Sequence, residues 1–160
     1  MDPNRRKDVV KQLFDTLHAT LPYFDQPASA LDRSYAPGKW TLREILVHLS
    51  DTEAAHLDRL RRTAAEKKPD FLSYDENEWA AKLLYKQRDL NLARQQFDIS
   101  RRQVIELAWL LDESVDKLVG MHSEAGPQTF AFNLNKLATH NAHHLEQAKA
   151  IAEGRTWQKK

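Results

Sequence analysis

Apolar residues along this chain recur at intervals of three and four, and that spacing lays out four long helical stretches. Val10, Leu13, Phe14, Leu17 and Leu21 form one apolar stripe, so the first helix is expected over about Arg5 to Leu21. Pro22 stops it, and Pro27 and Pro37-Gly38 mark a long connection that reaches Lys39. The second helix has a start signal. Thr41 is followed three residues later by Glu44, a capping box in which each side chain satisfies the other's orphaned backbone donor. Trp40 and Ile45 are placed to staple over that cap. The apolar positions then continue through Leu46, Leu49, Leu57 and Leu60 to about Glu66, where Lys67-Lys68-Pro69-Asp70 breaks the pattern.

A short helix carrying Trp79 is expected from Asp75 to Lys82. In the next stretch, about Asp89 to Leu111, Leu90, Phe97, Val104 and Leu111 fall seven apart, with Ala93 and Leu107 between them and Ser100 as the polar exception. Gly120 to Gln128, with Gly126-Pro127, reads as the last loop. A fourth long helix follows from about Thr129 to Glu153, with Gly154 as a left-handed stop. Its seam is Phe130, Leu137, His144 and Ile151, with Leu134, Asn141 and Ala148 between. The expected fold is therefore all-α, a four-helix bundle with long connections and one additional short helix, in a single domain spanning residues 1–160.

Composition narrows the class. Lys and Arg number 24 against 23 Asp and Glu, a formal charge of +1. That balance supplies no field to attract nucleic acid, and no apolar run reaches the ~18 residues of a membrane span. The opening Met1-Asp2-Pro3-Asn4-Arg5-Arg6 has no apolar core of a signal peptide, so a cytoplasmic location is expected. The chain has no cysteine, which removes disulfides and thiolate chemistry of its own and leaves His, Asp and Glu as metal ligands.

The chemistry-bearing pattern lies in Leu137-Ala138-Thr139-His140-Asn141-Ala142-His143-His144-Leu145. Residues four apart stack on one helix face, so His140 and His144 can aim two imidazoles at one ion. Asn141 stands where a zinc protease helix needs a general-base Glu, which removes that reading. His144 takes a seam position that packing alone would give to Leu. His48 sits beside the core stripe of the second helix and is a third candidate ligand from a facing helix. His143, rotated about 100° from its neighbours, is expected to face solvent or a partner chain. His56 is a reserve ligand or pocket residue, about 12 Å along the helix from His48, and His18 and His122 carry no special expectation. Glu53 falls near the seam and is the candidate general base, or the partner that holds an imidazole tautomer. Asp51 and Gln147 read equally as solvated positions or as partners of the histidines. Arg59, Arg61 and Arg62, with Arg101-Arg102, are expected on a salt-bridged surface beside Asp58, Glu66 and Asp98.

Three segments, Tyr35-Ala36-Pro37-Gly38-Lys39-Trp40-Thr41-Leu42-Arg43-Glu44-Ile45-Leu46-Val47-His48-Leu49, Asp51-Thr52-Glu53 and Thr139 to Leu145, resemble the DinB-like (DinB/YfiT-like) family of metalloenzymes. The resemblance covers nearly the whole chain. It implies a four-helix bundle, often a homodimer, that binds a divalent metal through His48, His140 and His144. Some relatives use a low-molecular-weight thiol for transfer or isomerisation, and others are labelled hydrolases. Three neutral imidazoles leave an ion its full charge and an open position. Such an ion can activate water for hydrolysis or hold a thiol as thiolate. All-nitrogen ligation suits Zn, Ni, Fe or Cu. Two functions are thus expected of the sequence: a metal-dependent transferase or hydrolase acting on a small-molecule substrate, or a non-catalytic helical-bundle dimer with a structural or vestigial site.

Overall fold

In the computed structural model, which describes residues 1–158, the four long stretches are helices α1 (Pro3–Thr20), α3 (Leu42–Ala65), α5 (Leu90–Leu110) and α6 (Phe130–Ala152). Two short helices, α2 (Ala28–Leu31) and α4 (Glu76–Lys82), lie in the connections. The expected domain end at residue 160 falls outside the described residues. α3 packs against α5 and α6, and α1 closes the ring by packing against those same two helices. Among the described residues no helix is long and apolar enough to cross a membrane.

The termini follow from local chemistry. Thr41 Oγ1 accepts from the Glu44 amide at 3.3 Å while Glu44 Oε2 accepts from the Thr41 amide at 2.8 Å. A cap of this kind contributes about 1 kcal/mol. Trp40 packs on the core cluster that contains Ile45, as the staple requires. Thr129 caps α6 by accepting from the Phe132 amide at 3.0 Å. Beyond α6, Gly154 takes φ +67°, the left-handed stop expected of it.

One expectation is corrected. The segment around Gly120–Gln128 is not a loop but the hairpin β2 (Val119–His122) and β3 (Gly126–Thr129), and β1 (Asp70–Phe71) adds to β2 in parallel. Gly120 is required there by close approach: a Cβ on it would meet the Phe71 ring at 2.1 Å. Ser73 and Tyr74, which follow β1, and His122 at the end of β2 line a common cavity with residues of α3 and α6.

The core is divided. One apolar cluster gathers Leu17, Leu42, Ile45, Leu49, Phe97, Ala148 and Ile151; the other gathers Val9, Leu13, Leu57, Leu60, Val104, Phe130, Leu134 and Leu137. Between them each long helix contributes buried polar residues: Thr16 from α1, Glu53 and His56 from α3, Ser100 and Arg101 from α5, Asn141 and His144 from α6. Burying polar groups costs free energy unless they are paired. A whole layer of them across a bundle is where function is to be sought.

Candidate metal centre

His48 lies two turns after the Thr41 cap, on the face of α3 that meets α6. His140 and His144 lie one turn apart on α6. The seam arithmetic is reflected in burial, since His48 is 1% and His144 8% exposed, with His140 half-buried. The three rings converge edge to face, with centroids 5.0 Å (His48–His140), 4.9 Å (His48–His144) and 4.6 Å (His140–His144) apart. One ring nitrogen from each lies within 4.8 Å of the other two. His48 Nε2 and His140 Nε2 are 3.1 Å apart. Two nitrogens bound to one tetrahedral ion at about 2.0–2.1 Å are separated by about 3.3 Å. The donor set and spacing therefore fit a divalent ion.

The electrostatics accord with that use. Burial, reinforced by the nearby His144 charge, holds His48 at about 3, and burial holds His144 at about 4. His140 is also pushed down, by burial first and then by His144 and His48. All three rings are thus neutral at pH 7, with lone pairs available. His144 Nδ1 donates to Gln147 Oε1 at 2.7 Å, which fixes the tautomer and leaves the Nε2 lone pair free to bind an ion. Gln147 is buried, and its amide nitrogen faces Tyr35 Oη at 3.4 Å and His143 Nε2 at 3.3 Å. Trp40 walls the centre, 4.8 Å from the His48 ring and stacked 6.3 Å from that of His144.

Two cavities reach the histidines from different sides. One of about 240 Å³ is bounded by Tyr35, Lys39, Trp40, Asn77, His144 and Gln147. The other, of about 120 Å³, is bounded by Thr52, His56, Arg59, Tyr74, His122, Lys136 and His140. The Tyr74 hydroxyl lies 3.4 Å from Thr52 Oγ1, and burial raises its pKa, so it remains a proton donor.

Glu53, expected beside an imidazole, is placed elsewhere. Its carboxylate is gripped by Arg101, with Nε at 2.8 Å from Oε2 and Nη2 on Oε1, and both side chains are wholly buried. It does not join the three-histidine cluster. The tautomer-holding role foreseen for it belongs to Gln147. Asp51 is likewise engaged, accepting from Tyr85 Oη at 2.8 Å. His143, expected to face solvent or a partner chain, is half-buried, its ring 4.7 Å from that of Trp157. The basic surface is corrected in part. Arg62 and Arg102 pair with Asp58 and Asp98 on exposed faces, but Arg59 and Arg101 are buried. Of the two readings the sequence left open for Gln147, the structure shows the histidine partner, whereas Tyr74 was not singled out at all. Only the i, i+3 spacing from His144 pointed to Gln147, and nothing in the sequence pointed to Tyr74.

Residues 7–148 match the model of the DinB superfamily. A protein of Oceanobacillus iheyensis named "Putative metal-dependent hydrolase" is 31% identical over 132 residues, covering 79% of this chain and 73% of its own length. A protein of Bacillus mycoides with the same designation is 24% identical over 133 residues, covering 83% and 76%. Among solved structures, YfiT from Bacillus subtilis, described as "a probable metal-dependent hydrolase with an unusual four-helix bundle topology", superposes with a TM-score of 0.88. That likeness spans 98% of this chain and 91% of YfiT at 19% identity, and it bears on the fold.

Proposed function

The chain belongs to the DinB superfamily, and on that premise we propose that His48, His140 and His144 hold one divalent ion and that the protein hydrolyses a small substrate. The observation that carries the proposal is the convergence of three neutral ring nitrogens within 4.8 Å of one another, with one cavity bordered by His144 and another by His140. When bound, such an ion supplies a Lewis acid that polarises a carbonyl and lowers the pKa of water to about 7. The donor set suits Zn, Ni or Fe.

The chain's own residues supply the rest. Gln147 holds His144 in the ligating tautomer. Trp40 packs over the His48–His144 side and forms one wall of the cavity that reaches His144. Tyr74, kept protonated by burial, is positioned in the same cavity as His140 to donate to an oxygen that gains charge during attack. Glu53 acts through its ion pair with Arg101, which ties α3 to α5 one turn beyond His48. A low-molecular-weight thiol competes for the same open position, and the homodimer implied by the resemblance belongs to the proposal as well.

The test is a panel of small esters and amides offered to the metal-loaded protein, with and without added thiols. Metal-dependent hydrolysis without thiol, lost in His48→Ala, is expected. Turnover only in the presence of a thiol replaces hydrolysis with transfer. No turnover by fully loaded protein overturns the enzyme reading in favour of a structural site.

A further inference from the structure

Among the described residues three arginines are buried: Arg6 at 5%, Arg59 at 6% and Arg101 at 0% exposure. Two of them are neutralised within the protein. Arg6 meets Asp116 at 2.5 Å, and Arg101 meets Glu53. Arg59 has no such partner: among the described residues no carboxylate oxygen lies within 4.0 Å of its guanidinium. What it has is a single bond from Nη2 to the Leu72 carbonyl at 3.2 Å and the Tyr74 ring, 5.8 Å from its central carbon. A buried charge without a counter-ion is costly, and proteins keep one where a ligand supplies the missing charge.

The surroundings point the same way. Arg59 lines the 120 Å³ cavity together with His56, His122, Lys136, Tyr74 and the metal-centre residue His140. His56 is 3% exposed, and its Nδ1 has no hydrogen-bond partner. His122 Nδ1 accepts from the backbone amides of Glu124 and Ala125, both at 3.2 Å, so its Nε2 carries the proton and can donate. The cavity's acids, Glu76 and Glu124, are exposed, and Glu124 is already bonded by Ser73 Oγ at 2.7 Å. Arg59, His56 and His122 are thus the buried nitrogen groups of the cavity, while Lys136 lies with the carboxylates at its exposed side, where partial burial raises the Glu76 pKa and the Lys136 charge opposes that rise.

We propose that this cavity is an oxyanion subsite in which Arg59, with His122 and Lys136, receives the carboxylate of a small substrate whose reacting group extends past His140 to the three-histidine centre. A planar two-oxygen carboxylate matches the guanidinium edge left open by the single bond to Leu72. The direction of the reacting group rests on the metal-centre reading, whereas the subsite itself does not.

Calorimetric titration with succinate and, separately, inorganic phosphate tests the proposal on metal-loaded and metal-stripped protein. Succinate is expected to bind the wild type, more weakly at higher salt. Arg59→Gln loses at least tenfold in affinity, Arg59→Lys loses less, and Lys136→Gln, at an exposed position, loses severalfold. The Arg59 dependence persists after metal removal, so failure of the metal centre alone leaves this result intact. Failure of the subsite, in turn, leaves metal content unchanged. A second readout is thermal: because Arg59 has no internal counter-ion to orphan, Arg59→Gln melts within a few degrees of wild type. Absence of succinate binding, equal binding by Arg59→Gln, tighter phosphate than succinate, or a large fall in the Arg59→Gln melting temperature would each overturn the proposal.

Discussion

Replacing Arg101 by methionine isolates what the buried ion pair contributes. Arg101 and Glu53 are both wholly buried. Arg101 also donates from Nη1 to the Leu13 carbonyl and to Thr16 Oγ1, each at 3.0 Å. Arg101→Met therefore strands a carboxylate in the centre of the bundle, with an expected loss of about 3–5 kcal/mol. For a chain of this size that corresponds to a fall of roughly 6–20 °C in melting temperature. Replacing both partners, Glu53→Leu with Arg101→Met, removes the stranded charge and is expected to return to within about 1–2 kcal/mol of wild type. The coupling between the two sites then exceeds about 2 kcal/mol. Urea unfolding of wild type, both single variants and the double variant measures it. Because the pair lies outside the three-histidine cluster, the double variant should bind metal at wild-type stoichiometry. A loss below about 1 kcal/mol for Arg101→Met, or a double variant no more stable than the sum of its parts, would show that the buried pair carries no such coupling.

Three other predictions are independent of that pair. Burial sets His48 and His56 at about 3 and His144 at about 4, against 6.5 in the unfolded chain. Below pH 6.5 the unfolded chain thus binds protons that the folded one refuses. The metal-free protein keeps its full histidine-linked stability above about pH 6.5 and loses it as pH falls toward 4 and 3; a urea midpoint that stays constant over that interval contradicts this. Gln147→Leu frees the His144 tautomer and should weaken metal affinity by about 10–100-fold without unfolding the protein, as read by competition with a chelator. Gly120→Ala forces the Phe71 ring aside and should cost about 1–3 kcal/mol, much of it recovered in the Gly120→Ala/Phe71→Leu double variant; an unchanged melting temperature for the single variant would count against the close approach.

The four long helices were legible because their apolar spacing is sustained over whole turns and their starts carry side-chain caps. Thr41–Glu44 and Thr129 place α3 and α6 to within a residue or so. The histidine cluster was legible for a related reason: the i, i+4 rule stacks His140 on His144, and the seam register carries His144 inward. The hairpin was not. Val119 to His122 alternates exposed and buried over only four residues, and Gly126-Pro127 reads equally as a loop. The interior arginines were also hidden, since a charged residue is placed inside by a partner distant in sequence. Arg101 meets Glu53 48 positions away, and Arg6 meets Asp116 110 positions away. Glu53 illustrates the consequence. Its seam position was read correctly, but its chemistry is set by Arg101, which no local pattern reveals.

Three imidazoles from two helices are proposed to share one ion. Elemental analysis of the purified wild type beside His48→Ala and His144→Ala, with folding checked by circular dichroism, tests it most directly. One equivalent of a divalent metal in the wild type and its loss from both folded variants is the expected result. Full metal content in either folded variant, or none in wild type supplied with excess metal, would contradict the account.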